Sequence, residues 1–546
     1  MSEYEIPNDN EIPPEDIQPG ADLRDIDLSK AILREANLSR ANLKDANLSD
    51  ANLNNSDLSD ADLGDANLSR ANLKDANLSD ANLNNADLSD ADLGDANLSR
   101  ANLKFADLPK SMLRGANLSD ANLNNADLSD ADLGDTNLPR ANLKDANLSD
   151  ANLNNADLSD ADLGDANLSR ANLKFADLPK SMLRGANLSD AKLRNTDLSG
   201  AYLGNAKLLD AELRNTDLSG AYLGNAKLSD AELEDVDLSE GNLYNADLLE
   251  AEFYDVDFSG ANLSDVNFSK SELEKADLPE AKLKDTNFLE ANLKGANLTK
   301  SILKDTNLRK ARLQDADLSG AELENADLSE SILREANLSK ANLSNADLSN
   351  ADLRHSKMLK PNLRDARLSG VRLSGETNIV DYNEEIEQSL SKLEEISDQE
   401  TQDIIARASR ELRTVYSENG LVESARRVLI QERKARSREA LHDSGGKRTF
   451  QWALSRLSWF FTGYGVQLKP VVGWMLALYL LSACVYWKVG GMAWDQSLYY
   501  SIVTFTTAPP ETPPNYLTSI VAGIETFAGT AGIVFLGYVI GSRNRI

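Results

Sequence analysis

The stretch ANLSDANLNNADLSDADLGD, residues 76–95, holds four copies of a five-residue unit, and this unit decides the fold. Each copy reads A-(D/N)-L-x-x, with leucine at the centre, alanine two positions earlier and polar residues elsewhere. The unit repeats without a break in register from Ala21 to Gly375, which makes 71 copies. Every central residue is apolar; it is leucine except at five positions, Phe253, Phe258, Phe268, Phe288 and Met358.

A period of five fits neither the 3.6-residue period of an α-helix nor the two-residue period of a straight, half-buried strand. Apolar side chains two positions apart lie on the same side of an extended segment. The chain must then turn before the next unit begins. The repeat therefore predicts a solenoid around a leucine and alanine core, in which each unit buries its apolar side against neighbouring units.

This pattern resembles the pentapeptide-repeat family over residues 21–375. The resemblance implies a right-handed quadrilateral β-helix with four units, or 20 residues, in each coil. The 71 units would then form almost 18 coils. At a strand spacing of roughly 4.8 Å, the solenoid would be about 85 Å long.

Longer duplications indicate whether one face of the solenoid carries a binding site. One long segment recurs after 30 positions and another after 70, and neither shift is a multiple of the 20-residue coil. Each copy therefore falls on the opposite face. Only 191–210 and 211–230 repeat at a shift of 20, which stacks Tyr202 on Tyr222. We interpret the solenoid as a scaffold or spacer whose protein partner is unknown.

The charge is concentrated in the repeats. The formal net charge is −31, yet residues 376–546 hold 19 acidic and 17 basic side chains. A polyanion repels phosphates, so we expect no nucleic-acid binding. Some pentapeptide-repeat proteins are acidic rods that imitate DNA and inhibit topoisomerases, and that function is an alternative for this chain.

The composition offers no catalytic constellation, and we predict neither an enzyme nor a cofactor. The two histidines, His355 and His442, lie far apart in the chain, so no metal centre or histidine-based triad is indicated. Cys484 is the single cysteine, which excludes an internal disulfide. Its apolar neighbours predict a buried thiol.

The chain divides into five segments of different composition. The fold class we predict is mixed and multidomain: the quadrilateral β-helix solenoid, a helical linker and an α-helical two-span membrane pore module. The second half of the linker is basic and faces either solvent or anionic lipid. The segments are a disordered acidic leader (1–20), the solenoid (21–375), the helical linker (376–446), an interfacial amphipathic helix (447–465) and a membrane domain (466–546).

Two apolar runs near the C-terminus predict membrane spans. Residues 471–487 carry no charge, and residues 517–540 carry only Glu525. With their flanks they approach the roughly 20 residues that a bilayer core requires, so we predict spans at about 470–489 and 517–540. Lysine and arginine lie outside the two runs rather than between them. We therefore expect a multi-pass protein of the cell membrane with cytoplasmic N- and C-termini.

The segment between the spans predicts a third, shorter helix at about 495–507. The order span, short helix, loop and span resembles the two-transmembrane-helix potassium channels. The resemblance rests on LYYSIVTFTT (498–507) and GIETFAGTAGIVFLGYVIGSRNR (523–545). It implies a homotetramer around a central pore, in contact with membrane lipid and with monovalent cations as the permeant species.

The loop departs from that family, which has V/L-G-Y-G-D where this chain has Ala508-Pro509-Pro510-Glu511-Thr512. Proline fixes φ near −65° and restrains the residue before it, so the loop cannot stack carbonyls around potassium. Four copies of Glu511 would form a carboxylate ring that attracts cations. The filter-equivalent residues, whose threonines supply oxygens or cap the helix, are Thr506, Thr507, Ala508, Pro509, Pro510 and Glu511.

Two further features of the second span suggest roles. Glu525 is an acid inside a membrane span, and it either acts in transport or forms a hydrogen bond that holds helices together. Small residues allow close helix packing, and the candidates are Gly529, Gly532, Gly537 and Gly541. The leading functional prediction is a cation-permeable or weakly selective channel-like protein. A non-conducting membrane scaffold and the DNA mimic are the alternatives.

Overall fold

The computed structural model describes residues 4–7, 13–391, 396–439, 468–506, 509, 513 and 515–543. Within these ranges the backbone alone is described at 14, 378, 380, 385, 389, 391, 468–471, 506, 532 and 535–543. The chain forms two compact units. The first comprises Met1–Asp347 and Ala351–Met358, and the second comprises Leu348–Asn350 and Leu359–Ile546.

The first unit is a solenoid whose coils are 20 residues long. Parallel bridges join residues 20 positions apart, from Asp22 and Asn42 to Asn337 and Lys357. One coil therefore contains four five-residue units. Three longer strands form a parallel sheet in the order β1-β2-β3, and two more strands follow: β1 (Glu212–Arg214), β2 (Glu232–Glu234), β3 (Glu252–Tyr254), β4 (Lys357–Leu359) and β5 (Asn378–Val380).

The core of the solenoid consists of the central residue and the small residue of each unit. The central leucines and the alanines are almost completely buried along the array. The four central phenylalanines pack together, and the rings of Phe268 and Phe288, one coil apart, stack with centroids 5.0 Å apart. The sequence pattern thus places its apolar residues in the interior as predicted.

The turn that ends each unit requires a left-handed residue. From Asp25 to Gly370, the last residue of every unit has a φ between 49° and 73°. The next N–H then donates to the carbonyl of the unit's leucine, as Ala31 does to Leu28 at 3.1 Å. Aspartate, asparagine and glycine tolerate this conformation best, which explains their frequency at this position.

The polar residue before each central leucine also serves the fold. The Asp27 side chain accepts the N–H of Ser29 at 3.0 Å, which stabilises the turn. Where this residue is asparagine, its amide donates to the equivalent residue one coil earlier, as Asn77 does to Asp57 at 3.0 Å. These ladders give the abundant aspartates and asparagines a structural role.

The acidic leader contributes to the first coils, which corrects the prediction of disorder over residues 1–20. Glu5 and Ile32 exchange both backbone hydrogen bonds, at 3.2 and 2.7 Å. A 3₁₀ turn at Pro14–Asp16 precedes Ile17, which is buried. The physical reason is that the first coil has no preceding coil, so its backbone groups need another partner.

Three helices follow the solenoid in the second unit. They are α1 (Tyr382–Ser391), α2 (Asp398–Glu418) and α3 (Val422–Glu439), and α2 packs along α3. Asn419, at the end of α2, accepts the N–H of Leu373 and donates to the carbonyl of Val371. It thereby binds the helices to the last repeat.

The basic half of the predicted linker is only partly free. Arg426 is buried and pairs with Glu423, and Arg436 pairs with Asp403 and Glu439. These cations are therefore occupied within the protein rather than presented to a lipid surface.

The last three helices are α4 (Leu468–Lys488), α5 (Trp494–Thr506) and α6 (Tyr516–Arg543). Each of the three packs against the other two. Within the described part of the chain, no helix presents an apolar stretch of the length that a membrane crossing needs. The predicted interfacial helix, residues 447–465, lies outside the described residues.

Candidate functional site

A buried carboxyl group joins the last three helices. Glu525 lies on α6 and is 1 % exposed. Tyr486, on α4, donates its hydroxyl to Oε2 of Glu525 at 2.9 Å. Ser501, on α5, makes a hydrogen bond to Oε1 of the same carboxyl group. One acidic side chain therefore contacts both of the other helices.

The surroundings of this carboxyl group combine hydroxyls with aromatic rings. The Tyr486 ring meets the Tyr500 ring edge-on, with centroids 4.8 Å apart, and Ala522 completes the cluster. The hydroxyl of Thr504 is buried and has no hydrogen-bond partner among the described residues. Ser482 also interacts with the carboxyl group. The site is thus a polar pocket enclosed by apolar helices.

Further contacts hold α5 along its whole length. Tyr479 donates to the carbonyl of Leu498 at 3.3 Å, and Thr526 donates to the carbonyl of Thr504 at 3.3 Å. At the end of α5 the two backbones approach closely. A Cβ atom added to Gly529 would lie only 1.9 Å from the carbonyl oxygen of Phe505. Only glycine fits at this contact.

Asn515 fixes the point where the proline-containing loop enters α6. Its side chain accepts the N–H of Thr518 at 2.9 Å, and its own N–H donates to the Thr518 hydroxyl at 3.0 Å. Its amide also donates to the carbonyl of Val489 at 2.9 Å, just after α4. Beside it lies a groove of about 630 Å³ lined by residues of the loop and of α6, among them Pro509, Pro513 and Phe527.

The structure describes only part of the site predicted from the sequence. Thr506 ends α5, and Pro509 lines the groove. Glycines 532, 537 and 541 belong to the backbone of α6, and their surroundings are outside the described side chains. Four of the filter-equivalent residues lie outside the described residues: Thr507, Ala508, Pro510 and Glu511.

Two points about the helices were missed or wrong. The predicted buried thiol is wrong, because Cys484 is exposed on α4. The partners of Glu525 were not predicted, although the sequence held a signal for them. Ser497, Ser501 and Thr504 are spaced by four and three residues, so they share one face of α5, and all three are fully buried.

The outer surface of the solenoid carries a column of uncompensated acid. Seven aspartates stack one per coil, and none of them forms an ion pair among the described residues. They are Asp157, Asp177, Asp197, Asp217, Asp237, Asp257 and Asp277. Elsewhere arginine compensates the stacked charges, as Arg70 does for Asp50 at 2.8 Å.

The pKa values of these aspartates depend on the neighbouring residues. Burial, and then the carboxylates of Asp157 and Asp197, raise the pKa of Asp177. Pro179 has no N–H to donate to this carboxylate. By contrast, hydrogen bonds from Ser29 lower the pKa of Asp27. The proline therefore leaves an ionised aspartate without the usual turn hydrogen bond.

The stacked tyrosines extend further than the sequence indicated. Bridges place Met182, Tyr202 and Tyr222 one coil apart on the same face, and all three side chains are exposed. The Tyr222 ring lies against the backbone of Gly204 and Gly224, where a Cβ would meet it within 3.0 Å. Glycine at these positions lets the ring lie flat on the solenoid.

The coil of four units, the left-handed turns and the asparagine ladders define a β-helical solenoid of five-residue repeats. The model of the family described as pentapeptide repeats matches segments from residue 21 to residue 375. The chain belongs to the pentapeptide-repeat family. This confirms the resemblance of the repeat array predicted from the sequence.

Solved structures of this family are similar to parts of the chain. HetL of the cyanobacterium Nostoc sp. strain PCC 7120, involved in heterocyst differentiation regulation, is 34 % identical over 41 % of this chain and 88 % of its own, with a TM-score of 0.15. QnrB1, a plasmid-mediated fluoroquinolone resistance protein, is 21 % identical over 43 % and 97 %, with a TM-score of 0.19. Comparison with curated proteins gives no match.

Proposed function

We propose that the chain is a channel-like integral membrane protein. In this proposal α4, α5 and α6 form a two-span module that assembles as a homotetramer, passes cations with weak selectivity and carries the solenoid on the cytoplasmic side. The observation that carries the proposal is the packing of the short helix α5 against both long helices around a buried acid.

The lengths of the helices support this proposal. Helix α4 has 21 residues and α6 has 28. At about 1.5 Å per residue these helices are about 32 and 42 Å long, against about 30 Å for a hydrocarbon core. The described side chains begin at Val472 in α4 and end at Val534 in α6, so they cover less than the two helices. We therefore base the proposal on the sequence of the whole helices.

The surface of the module also supports a lipid environment. Large apolar side chains on α4 and α6 are exposed, including Leu481 at 65 %, Phe527 at 79 % and Val534 at 67 %. Extended apolar surface of this kind is rare on soluble monomers and marks contact with a partner or a membrane. The polar groups, in contrast, are satisfied inside the module, as a membrane protein requires.

Electrical recording from full-length protein in lipid bilayers tests the proposal. We expect cation currents, and we expect Glu511→Gln to reduce them because a carboxylate ring raises the local cation concentration. Glu418→Gln, on helix α2, is the matched control and should leave the currents unchanged. Cross-linking in detergent should yield a tetramer, and a monomer or dimer would contradict the proposal.

A non-conducting membrane scaffold is the second candidate. It is favoured by the four prolines of the loop, which remove backbone freedom where the potassium channels use glycine. Tetramers that stay silent over a range of cations and voltages would support it.

The DNA-mimic alternative makes a different prediction. The solenoid, residues 1–375, should then inhibit a topoisomerase in the absence of lipid. Undiminished topoisomerase activity would remove this alternative.

A further inference from the structure

We infer that Glu525 is held as a neutral carboxylic acid, and that its proton is a structural component joining α6 to α5. The inference concerns the three-helix module itself and does not depend on whether the module conducts ions. It follows from counting the protons available to the groups around Ser501.

The hydroxyl of Ser501 has two neighbours that need a donor. Its oxygen lies 3.0 Å from the carbonyl oxygen of Tyr479 and makes a hydrogen bond to Oε1 of Glu525. A backbone carbonyl only accepts hydrogen bonds, and so does an ionised carboxylate. A serine hydroxyl has one proton to donate, so an ionised Glu525 would leave one of the two contacts without a proton.

A neutral Glu525 satisfies every group. Its Oε1 carries the proton and donates to the oxygen of Ser501, which in turn donates to the carbonyl of Tyr479. Tyr486 donates to Oε2 at 2.9 Å. The resulting chain of hydrogen bonds runs from α6 through α5 to α4, with one proton for each contact.

The charges around the site support the same protonation state. Glu525 forms no ion pair within the described residues, and the groups that face it are neutral: Ser482 and Tyr486 from α4, and Ser501 from α5. The titratable Tyr500 packs on Tyr486 through its ring. An ionised carboxylate buried without a cation is strongly unfavourable.

The consequence is a proton-dependent contact at the helix that precedes the proline loop. When the proton leaves, the contact between Glu525 and Ser501 loses its donor and a charge remains buried. Helix α5 is then less firmly held to α6. Because α5 ends at Thr506, the proton also determines how the start of the loop is positioned.

Infrared spectroscopy of the full-length protein in detergent tests the inference directly. We expect a carbonyl band of a protonated carboxyl group at neutral pH that disappears in Glu525→Gln. Glu418→Gln, which removes an acid of helix α2, is the control and should retain the band. If the wild-type protein has no such band, or if the band survives in Glu525→Gln, the inference is wrong.

Hydrogen exchange of the α5 amides provides a second readout. Glutamine can donate to Ser501 and accept from Tyr486, so Glu525→Gln should preserve protection at neutral pH, whereas Glu525→Ala should lose it. Above the titration point, protection in the wild type should fall about tenfold per pH unit relative to Glu525→Gln. Equal loss of protection in both variants at neutral pH would overturn the inference.

Discussion

At the scale of single residues, the same position of the repeat stabilises or destabilises the solenoid according to whether it holds asparagine or aspartate. Asn97 donates to Asn77 one coil earlier, at 3.0 Å, and extends the ladder. Asp177 has no proton to donate and faces Asp157 and Asp197, which stand directly opposite it in the ladder. Like charges in that position are unfavourable. The amide ladders therefore offset a repulsion that the acidic composition would otherwise impose.

We expect Asp177→Asn to stabilise its coil by about 1 kcal/mol, because the new amide donates to Asp157. The pKa of Asp177 is raised, so the wild type is penalised when this carboxylate is ionised. The gain should be largest at neutral pH and shrink as the pH falls through the carboxyl pKa. Hydrogen-exchange protection of residues 170–190 measures it.

Asp27→Asn is the matched control with the opposite sign. The pKa of Asp27 is lowered by its hydrogen bonds, so the charged form stabilises the fold and the benefit is lost as the pH falls. This variant should reduce protection at neutral pH. A gain in both variants would contradict the role assigned to the stacked charges.

Phe105→Asn should stabilise the solenoid by about 1 kcal/mol, because a phenylalanine with a φ of 59° is strained and asparagine tolerates this region. The new side chain would also stand between Asn85 and Asn125, one coil away on either side. Phe105→Leu keeps the strain and is the control. Thermal unfolding of the two variants distinguishes them, and equal midpoints would argue against strain at this turn.

At the scale of elements, the close contact between α5 and α6 depends on Gly529. Its missing side chain lets the carbonyl of Phe505 approach α6. The contact lies one turn from Glu525, so the backbone approach and the carboxyl hydrogen bonds support each other. Both are needed to hold a short helix that has only its neighbours to pack against.

Gly529→Ala should destabilise the three-helix module by roughly 1–3 kcal/mol, since the obstacle is backbone rather than a flexible side chain. Gly523→Ala, on the same helix, is the matched control, because a Cβ there meets nothing within 4 Å. Hydrogen exchange of α5 in detergent should separate the two variants. Equal protection would show that α5 does not depend on this contact.

At the scale of the whole molecule, the solenoid is a series of interchangeable units. Each unit forms the same backbone bonds with residues 20 positions away. Insertion or deletion of whole units therefore preserves the core and changes only which side chains meet on each face. This accounts for internal duplications whose lengths are multiples of five but not of twenty.

Deletion of residues 76–95, one complete coil, should leave the remaining coils folded. Deletion of 76–93 removes a similar mass but shifts every later leucine out of the core, so that variant should lose protection beyond the deletion. Hydrogen exchange across the solenoid checks both outcomes. Equal protection in the two variants would refute the dependence on register.

The sequence predicted the solenoid because its signal is local and repeated, so the spacing of Ala and Leu alone requires the interior position. It did not predict that Glu5 pairs with Ile32, since that contact depends on the unfilled edge of the first coil. Glu525 was identified as an unusual acid, but its partners lie 24 and 39 positions away on other helices. Likewise, hydrophobic neighbours do not reveal which helix face Cys484 occupies.

The hydrogen bonds between coils have a mechanical consequence. They run along the direction in which coils are stacked, so a force pulling the ends of the solenoid apart loads the outermost coil before the others. A released coil of 20 residues contributes about 60–70 Å of extended chain. Stretched in an optical trap, the solenoid would lengthen in steps of this size and reel in by the same steps on relaxation, as an extensible tether.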